Sequence, residues 1–284
     1  MENYAFPLIG DLTAAAVGVE HVQNILNPLW GEKTRTADGV RGQIEQVLDA
    51  AKARGLRVGE NPARWRGNLE HLLSRDAKKA VRKREHFAAM KWSELPVLMA
   101  KLRKEDTLPS FAAQLLILTD VRAHMARFAC WGEFNFESKN WVLSAERMKA
   151  RKAFAIPLSE QVIDMLAKIP RVEGSPFLFP GRGKSGVMHA NAVRTLLHEM
   201  KHADITLHGF RSTFRDWAAE NTDYPREVCE MALAHDERDQ SEGSYSRTDF
   251  LEKRRPLMQE WADYSTTTLA TQQNSAEQMQ RSPV

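Results

Sequence analysis

The stretch at residues 204–220, DITLHGFRSTFRDWAAE, carries histidine and arginine at a spacing that places them on one side of a helix. At about 100° per residue, His208, Arg211 and Arg215 share an arc of about 60°. The aromatic residues of the stretch fall in a neighbouring apolar arc and are Phe210, Phe214 and Trp217. The apolar arc is expected to pack against a core. The basic arc requires a partner.

Further residues that can do chemistry are scattered along the chain. They are Arg122 in LTDVR, Lys149 in AERMKARK, His235 in ALAH and Tyr245 in GSYSR. Each has an ordinary explanation when taken alone, since a tyrosine near a C-terminal helix is usually a packed ring with a hydrogen-bonded hydroxyl. Their significance therefore depends on whether they form a set with His208 and its neighbours.

Two other motifs imitate known sites. PGRGKSG at 180–186 lacks the glycine that a phosphate-binding loop needs five positions before its Gly-Lys pair, because Leu178 stands there. We predict a turn.

HEMKH at 198–202 matches a zinc-binding helix, with His208 as third ligand, but Ile205 stands where the longer motif needs glycine. A β-branched residue resists the positive φ of such a turn, so a zinc metalloprotease is only a remote alternative.

A strongly basic stretch occupies residues 75–86, RDAKKAVRKREH. Two interpretations stay open. It is a solvated linker or helix face, or it is a strap that follows DNA phosphates and releases their counterions. The candidate DNA-binding residues in this stretch are Lys78, Lys79, Arg82, Lys83 and Arg84.

Length and composition are those of an ordinary globular protein. The chain has 284 residues, 43% of them hydrophobic and 27% charged, enough for one large domain or two modest ones. A net charge of +3 is only mildly basic. No apolar run is long enough for a membrane span, and the N-terminus does not resemble a signal peptide. Cys130 and Cys229 suggest no disulfide framework, so we expect a soluble protein in a reducing compartment.

The N-terminal part predicts a small helical unit. Residues 34–55 should form a helix capped by Thr36 and ended by Gly55. Its expected apolar stripe is Val40, Ile44, Val47, Leu48 and Ala51. A shorter helix is expected at 61–73, with Pro62 in its first turn.

The remainder predicts a larger, mostly helical domain. Residues 93–104 and 110–130 look helical, and 141–159 predicts two short strands joined by a basic turn. Further helices are expected at 159–169, 189–202, 208–220, 225–235 and 247–263. The predicted fold class is mostly α with a small antiparallel β-sheet. The expected organisation is a helical unit at 1–74, a basic linker at 75–90, a larger domain at 91–264 and a disordered tail at 265–284.

Three ordered motifs resemble the catalytic C-terminus of tyrosine recombinases, specifically prophage-type integrases. They are LHGFRSTFRDWAAE, YPREVCEMALAH and YSRTDFLEKRR followed by MQEWADY. WVLSAERMKARKAFAIPLS is similar to the β-hairpin of the same family. The resemblance extends from about residue 10 to 264. It implies a helical core-binding domain (SAM-like, partial, at 1–74) and a catalytic domain that together clamp duplex DNA.

The resemblance implies a role for each scattered residue. Arg122 and Arg211 match the pair whose guanidinium groups hold the non-bridging oxygens of the scissile phosphate. Tyr245 matches the nucleophile, which forms a covalent 3′-phosphotyrosine. Lys149 matches the general acid that protonates the departing 5′ oxygen, and His208 the position for proton transfer near the nucleophile.

His235 matches the family position that hydrogen-bonds the scissile phosphate. No metal or nucleotide cofactor is implied, because reversal of the phosphotyrosine linkage rejoins the strand. The partners implied are attachment sites in double-stranded DNA, three further copies of the chain in a homo-tetramer, and accessory DNA-bending or excisionase proteins. The location implied is the bacterial cytoplasm, in association with DNA.

Two departures from the family pattern predict impaired recombination. The family's N-terminal arm-binding domain and the start of its core-binding domain are not in this sequence. After Arg122 the family has a Gly-Glu pair, whereas this chain has AHMA at 123–126. Asp120 is expected to pair with Arg122 and draw it away from a phosphate. The alternative function is therefore a non-catalytic, DNA-binding prophage remnant.

Overall fold

The computed structural model describes residues 1–76, 88–148, 151–234 and 249–267. The chain divides into two compact units, Met1–His86 and Phe87–Val284. Each unit has a hydrophobic core of its own and is described separately. Within the described ranges, no helix is long and apolar enough to cross a membrane.

The first unit is built on two packed helices. Its helices are α1 (Phe6–Ile9), α2 (Val19–Trp30) and α3 (Thr34–Ala53). The buried side chains of α2 and α3 interlock to form the core, and Trp30 stacks on Trp65 with ring centroids 5.5 Å apart. The Trp30 indole donates a hydrogen bond to the Ser74 carbonyl at 3.1 Å, which ties the end of this unit to α2.

Helix α3 confirms most of its prediction. It begins at Thr34, so the predicted cap at Thr36 was wrong: Thr36 lies inside the helix. The predicted end is confirmed, because Gly55 has φ +73° and the backbone N–H of Leu56 returns to the Ala51 carbonyl. The stripe is buried except for Val47, which is 57% exposed.

The helix predicted at 61–73 is wrong except for one 3₁₀ turn at Leu69–His71. The Asn61 side chain accepts a hydrogen bond from the Ala63 N–H and donates to Asp49 on α3, which favours a turn over a helix. Gly67 has φ +74°, and this left-handed conformation prevents a continuous helix.

The second unit is a helical domain with one small sheet. The helices in its described residues are α4 (Leu95–Leu102), α5 (Leu108–Thr119), α6 (Ala123–Arg127), α7 (Glu160–Lys168), α8 (Ala192–Glu199), α9 (Gly209–Asn221), α10 (Arg226–Ala232) and α11 (Leu251–Thr266). Every stretch expected to be helical after residue 90 contains helix, with shorter bounds at most ends, but 110–130 is divided between α5 and α6. Residues 235 and 247–248 of the predicted spans lie outside the described ranges.

Helix α5 is the centre of this unit, with ten of its residues buried. The sequence predicted helix across 110–130, but α5 ends at Thr119 because Asp120 adopts the left-handed conformation, with φ 49°. The chain then extends through Arg122 before α6 begins. This break gives Arg122 its position at the start of a new helix.

The sheet has the order β1-β2-β3 and is antiparallel throughout. Its strands are β1 (Phe134–Asn135), β2 (Asn140–Leu143) and β3 (Phe154–Pro157). The two predicted strands are confirmed, with Trp141 paired to Ile156 and Leu143 to Phe154. Strand β1 escaped prediction because two residues are too few to show an alternating pattern.

The predicted fold class, mostly α with a small antiparallel sheet, is confirmed by these elements. The predicted tail at 265–284 starts too early, because Ser265 and Thr266 complete α11 and Ser265 is buried. The rest of that segment, from residue 268, lies outside the described ranges.

Candidate active site

Helix α9 presents its aromatic face to the core as the sequence predicted. Phe210, Phe214 and Trp217 are buried, and the ring of Trp261 on α11 lies 5.4 Å from that of Phe214 and 5.0 Å from that of Trp217. The Trp261 indole donates to the Ile117 carbonyl at 2.8 Å. These contacts fix the rotation of α9 and hence the direction of its other faces.

The basic arc of α9 is not a uniform solvent-exposed row. Arg211 is only 4% exposed, whereas His208 is exposed at the helix start. Arg215 forms an ion pair with the buried Glu230 of α10, with 2.9 Å between Nη2 and Oε1. The three residues therefore have separate environments, and a salt bridge accounts for Arg215.

Arg211 is held by two distant carbonyls. Its Nη1 donates to the Asp120 carbonyl and its Nη2 to the Leu233 carbonyl. Burial lowers the pKa of Arg211 to about 10, and the nearby positive charge of Arg122 acts in the same direction. A guanidinium has five N–H donors, more than these two bonds use. At neutral pH it remains a cation.

Asp120 is an acid with no exposed surface beside this arginine. Burial raises the pKa of its carboxyl well above the usual value, and the charge of Arg211 opposes that rise. Neither carboxylate oxygen has a hydrogen-bond partner among the described residues. The sequence predicted that Asp120 pairs with Arg122, and this prediction is wrong. Among the described residues no ion pair joins the two, and Asp120 instead interacts electrostatically with Arg211.

Arg122 stands at the N-cap of α6, half-buried and close enough to Arg211 to affect its pKa. It lines a cavity of about 440 Å³. The other residues that line this cavity are His124, Met125, Glu146, Arg147, Met148 and Arg151. With three arginines and one glutamate on its walls, the cavity is suited to an anion such as a phosphate.

The position of His208 depends on a close backbone approach. Gly209, the next residue, begins α9, and a Cβ there would lie 2.1 Å from the Ala88 carbonyl oxygen. The same carbonyl accepts bonds from the backbone and the hydroxyl of Thr206, and Thr213 donates to the Met90 carbonyl at 2.7 Å. Only glycine fits beneath the backbone of residues 88–90. The sequence alone did not reveal this constraint.

Two buried arginines bond to described backbone carbonyls at Leu233 and Asp249. Arg211 holds the Leu233 carbonyl, as described above. Arg254, buried in α11, donates to the Asp249 carbonyl at 2.8 Å and to the Ala155 carbonyl of β3 at 2.9 Å. Burial lowers the pKa of Arg254 to about 10. Arg254 was missed at the sequence level because its motif, EKRR, resembles an ordinary charged helix face.

The structure brings Arg122, Arg211 and the start of α9 at His208 into one unit. The remaining predicted site residues lie outside the described ranges. They are Lys149, His235 and Tyr245, together with the basic candidates Lys78, Lys79, Arg82, Lys83 and Arg84.

Neither imitating motif forms the geometry it suggests. Residues 180–186 form a turn, in which the Gly181 N–H bonds to the Gly186 carbonyl at 3.0 Å, as predicted. Helix α8 ends at Glu199, and Lys201 is left-handed with φ 67°. His202 therefore does not lie one helical turn beyond His198, as a zinc helix requires.

Comparison with known proteins was consistent across sequence and structure. The family described as "Phage integrase central domain" matches residues 1–68, and the "Phage integrase family" matches residues 89–252. The integrase of Enterobacteria phage P4 is 28% identical, over 93% of this chain and 63% of the relative. Prophage integrase IntA of Escherichia coli (strain K12) is 29% identical, over 93% of this chain and 62% of the relative. The chain thus spans less than two thirds of the length of these curated relatives.

Solved structures share the fold at low sequence identity. A lambda integrase(75-356) dimer bound to a COC′ core site has a TM-score of 0.57 and 16% identity, covering 83% of this chain and 85% of that one. The Tn1549 transposon integrase in complex with circular intermediate DNA has a TM-score of 0.54 and 14% identity, covering 88% and 87%. The two-part architecture is thus one that integrase structures also have.

Proposed function

The chain belongs to the phage integrase family, and we propose that it is a site-specific DNA recombinase that cuts and rejoins DNA through a covalent 3′-phosphotyrosine. The observation that carries the proposal is the electrostatic effect of Arg122 on the buried Arg211, together with the cavity that Arg122 lines with two further arginines. Two guanidinium groups whose charges act on each other can together meet the negative charge that grows on the non-bridging oxygens of a phosphodiester.

In the proposed reaction the Tyr245 hydroxyl oxygen attacks phosphorus and the bond to the 5′ oxygen breaks. The tyrosine proton is released through His208, and Lys149 donates a proton to the departing 5′ oxygen. His235 donates a hydrogen bond to the phosphate. Reversal by another 5′ hydroxyl breaks the phosphotyrosine bond and rejoins a strand, so the reaction as proposed uses no metal or nucleotide.

The proposed partner is double-stranded DNA at attachment sites. Residues 1–74 would serve as a core-binding domain and 91–264 as the catalytic domain, with the basic residues of 75–90 on the phosphate backbone. One of the solved structures is a lambda integrase tetramer bound to a Holliday junction, which supports a tetramer for this chain as well. Accessory DNA-bending or excisionase proteins and a location in the bacterial cytoplasm belong to the same proposal.

A covalent-trapping experiment tests the activity. The protein is incubated with nicked suicide duplexes selected from a random-sequence pool by retention on the protein, and covalent complexes are separated under denaturing conditions. We expect an adduct from the unaltered chain and none from Tyr245→Phe. An adduct that survives this substitution, or no adduct from the unaltered chain, would refute the proposal.

A second function, DNA binding without cleavage, is favoured by one observation. The buried Asp120 places an acid beside Arg211, and the charged form of that acid opposes the positive charge available to a phosphate. Retention of duplex DNA without any adduct would support this function. Replacing Lys79, Arg82 and Lys83 by glutamine should then weaken the salt dependence of binding, by about 0.9 in slope for each phosphate that the protein no longer neutralises.

A further inference from the structure

Arg147 ties the turn after β2 to α6, the helix whose N-cap is Arg122. The Arg147 side chain is 19% exposed. Its Nη2 donates to the Met125 carbonyl at 2.9 Å, while its Nη1 donates to the carboxylate of Glu133. One planar guanidinium therefore bridges α6 and the 3₁₀ turn at Trp131–Glu133 that precedes β1, a geometry that arginine's rigid fork suits better than lysine's flexible stem.

Glu133 is itself held firmly in place. Its Oε2 accepts a hydrogen bond from the Trp141 indole at 2.9 Å and another from the Cys130 N–H at 3.1 Å. Trp141 is fully buried in β2, so the carboxylate is anchored to the rigid centre of the sheet. With one oxygen on these donors and the other on Arg147, Glu133 fixes the position of the guanidinium.

Helix α6 transmits this position to Arg122. The Met125 backbone N–H donates to the Arg122 carbonyl at 2.7 Å, which closes the first turn of the five-residue helix. Such a short helix has little stability of its own and needs external contacts to keep its place. Arg122 and Arg147 also line the same cavity.

We propose that the Glu133–Arg147 pair positions Arg122 for the scissile phosphate, a role that rests on the function proposed above. The acid that the resemblance led us to expect after Arg122 is replaced here by Met125, whose backbone carbonyl instead accepts the Arg147 bond. Glu133 thus supplies the negative charge from the turn before β1, and Arg147 carries its orienting effect to α6. Both residues are proposed to act through Arg122 and not on the phosphate directly, so both are positioning residues.

The test compares two scissile linkages in the suicide duplex. One is the ordinary phosphodiester; in the other, a methyl group replaces one non-bridging oxygen, so the linkage is uncharged, and the two diastereomers are used separately. An uncharged linkage has less need of a cation at the methyl-bearing position. A variant that acts by displacing Arg122 should therefore be rescued by the same diastereomer that rescues Arg122→Ala.

We expect Arg147→Ala to slow adduct formation on the phosphodiester by about 10- to 100-fold, and on the rescuing diastereomer by no more than about threefold. Glu133→Gln keeps the side-chain shape and should show the same pattern with a smaller loss, which covers the case in which Arg147→Ala fails to fold. Arg103→Ala, an exposed arginine at the end of α4, is the matched control and should change neither rate.

Equal losses on all linkages, with thermal midpoints unchanged, would overturn the inference and leave the proposed function standing. Rescue by the opposite diastereomer would also overturn it, because the effect would then pass through another cation. If the unaltered chain forms no adduct at all, the proposed function fails and the inference fails with it.

Discussion

Asp120 is a buried acid in a left-handed conformation next to a buried arginine. Its raised pKa means that the folded chain holds this carboxyl proton more tightly than the unfolded chain does. The stability that the protonated carboxyl provides is therefore fully present below the usual aspartate pKa and is lost as pH rises through the raised value. Above that value, a buried charge with incomplete compensation remains.

We predict that Asp120→Asn makes the protein more stable than the unaltered chain at pH values above the raised pKa, where Asp120 would carry a buried charge, by about 1–2 kcal/mol. Asparagine has the same shape and tolerates the left-handed conformation, but it does not ionise. Urea unfolding of both proteins across a pH series measures the effect. The difference between them should shrink as pH falls through the raised pKa, and a constant difference would contradict this account.

The sequence allows Arg215 two roles of equal merit, a phosphate contact or a salt bridge. Its pairing with Glu230 leads us to predict that Arg215→Ala lowers the free energy of unfolding by about 1 kcal/mol, the modest value of a half-exposed pair. DNA affinity and adduct formation should stay unchanged. Arg194→Ala on α8 is the control for removal of an exposed arginine, and a fall in DNA affinity specific to Arg215→Ala would restore the phosphate contact.

At the scale of elements, the start of α9 depends on how tightly residues 88–90 cross it. A Cβ on Gly209 would overlap the Ala88 carbonyl, so Gly209→Ala must displace either residues 88–90 or the helix. We predict a loss of about 1–3 kcal/mol in unfolding free energy, together with slower adduct formation because His208 shifts with the helix start.

The control for this substitution is Gly39→Ala, in the interior of α3. An added Cβ there meets nothing within 4 Å, so this variant should instead be more stable, by about 0.5–1 kcal/mol, because alanine favours helix. Opposite signs for the two substitutions would separate close packing from helix propensity. If Gly209→Ala left the free energy of unfolding unchanged, residues 88–90 would move at little cost and the prediction would be wrong.

Element boundaries were predictable where a local signal exists. Gly55 ends α3 because glycine readily adopts the positive φ found there. The β2–β3 pair follows from β-forming residues around a basic turn. The break at Asp120 was not predictable. Aspartate visits the left-handed region far less readily than glycine, and what holds it there includes the bond from Arg211, ninety-one residues away.

At the scale of the whole molecule, two tyrosines of the second unit make the free energy of unfolding depend on pH in the alkaline range. Burial raises the pKa of Tyr224 to about 12, aided by its hydrogen bond to Glu260, and burial also raises the pKa of Tyr264 to about 12. The folded chain thus keeps both protons over a range in which the unfolded chain releases them. Stability from this source is fully present below about pH 10 and is lost as pH rises through about 12.

We predict a marked fall in the free energy of unfolding between about pH 10 and 12, with a smaller fall in the double variant Tyr224→Phe, Tyr264→Phe. Spectrophotometric titration of tyrosinate should show two groups ionising late in the folded chain. Titration of all tyrosines near pH 10 would contradict the burial described for these rings.

The sequence by itself determined the fold class, the family resemblance and the types of residue available for chemistry, because periodicity, turn residues and ordered motifs are local properties of a chain. It could also rank Arg122, His208 and Arg211 as a set through that resemblance. Only the tertiary structure decided which partners these residues have. Arg211 bonds to carbonyls at 120 and 233, Arg215 pairs with Glu230, and Arg147 joins Glu133 to the Met125 carbonyl, because folding alone brings distant segments within hydrogen-bond reach.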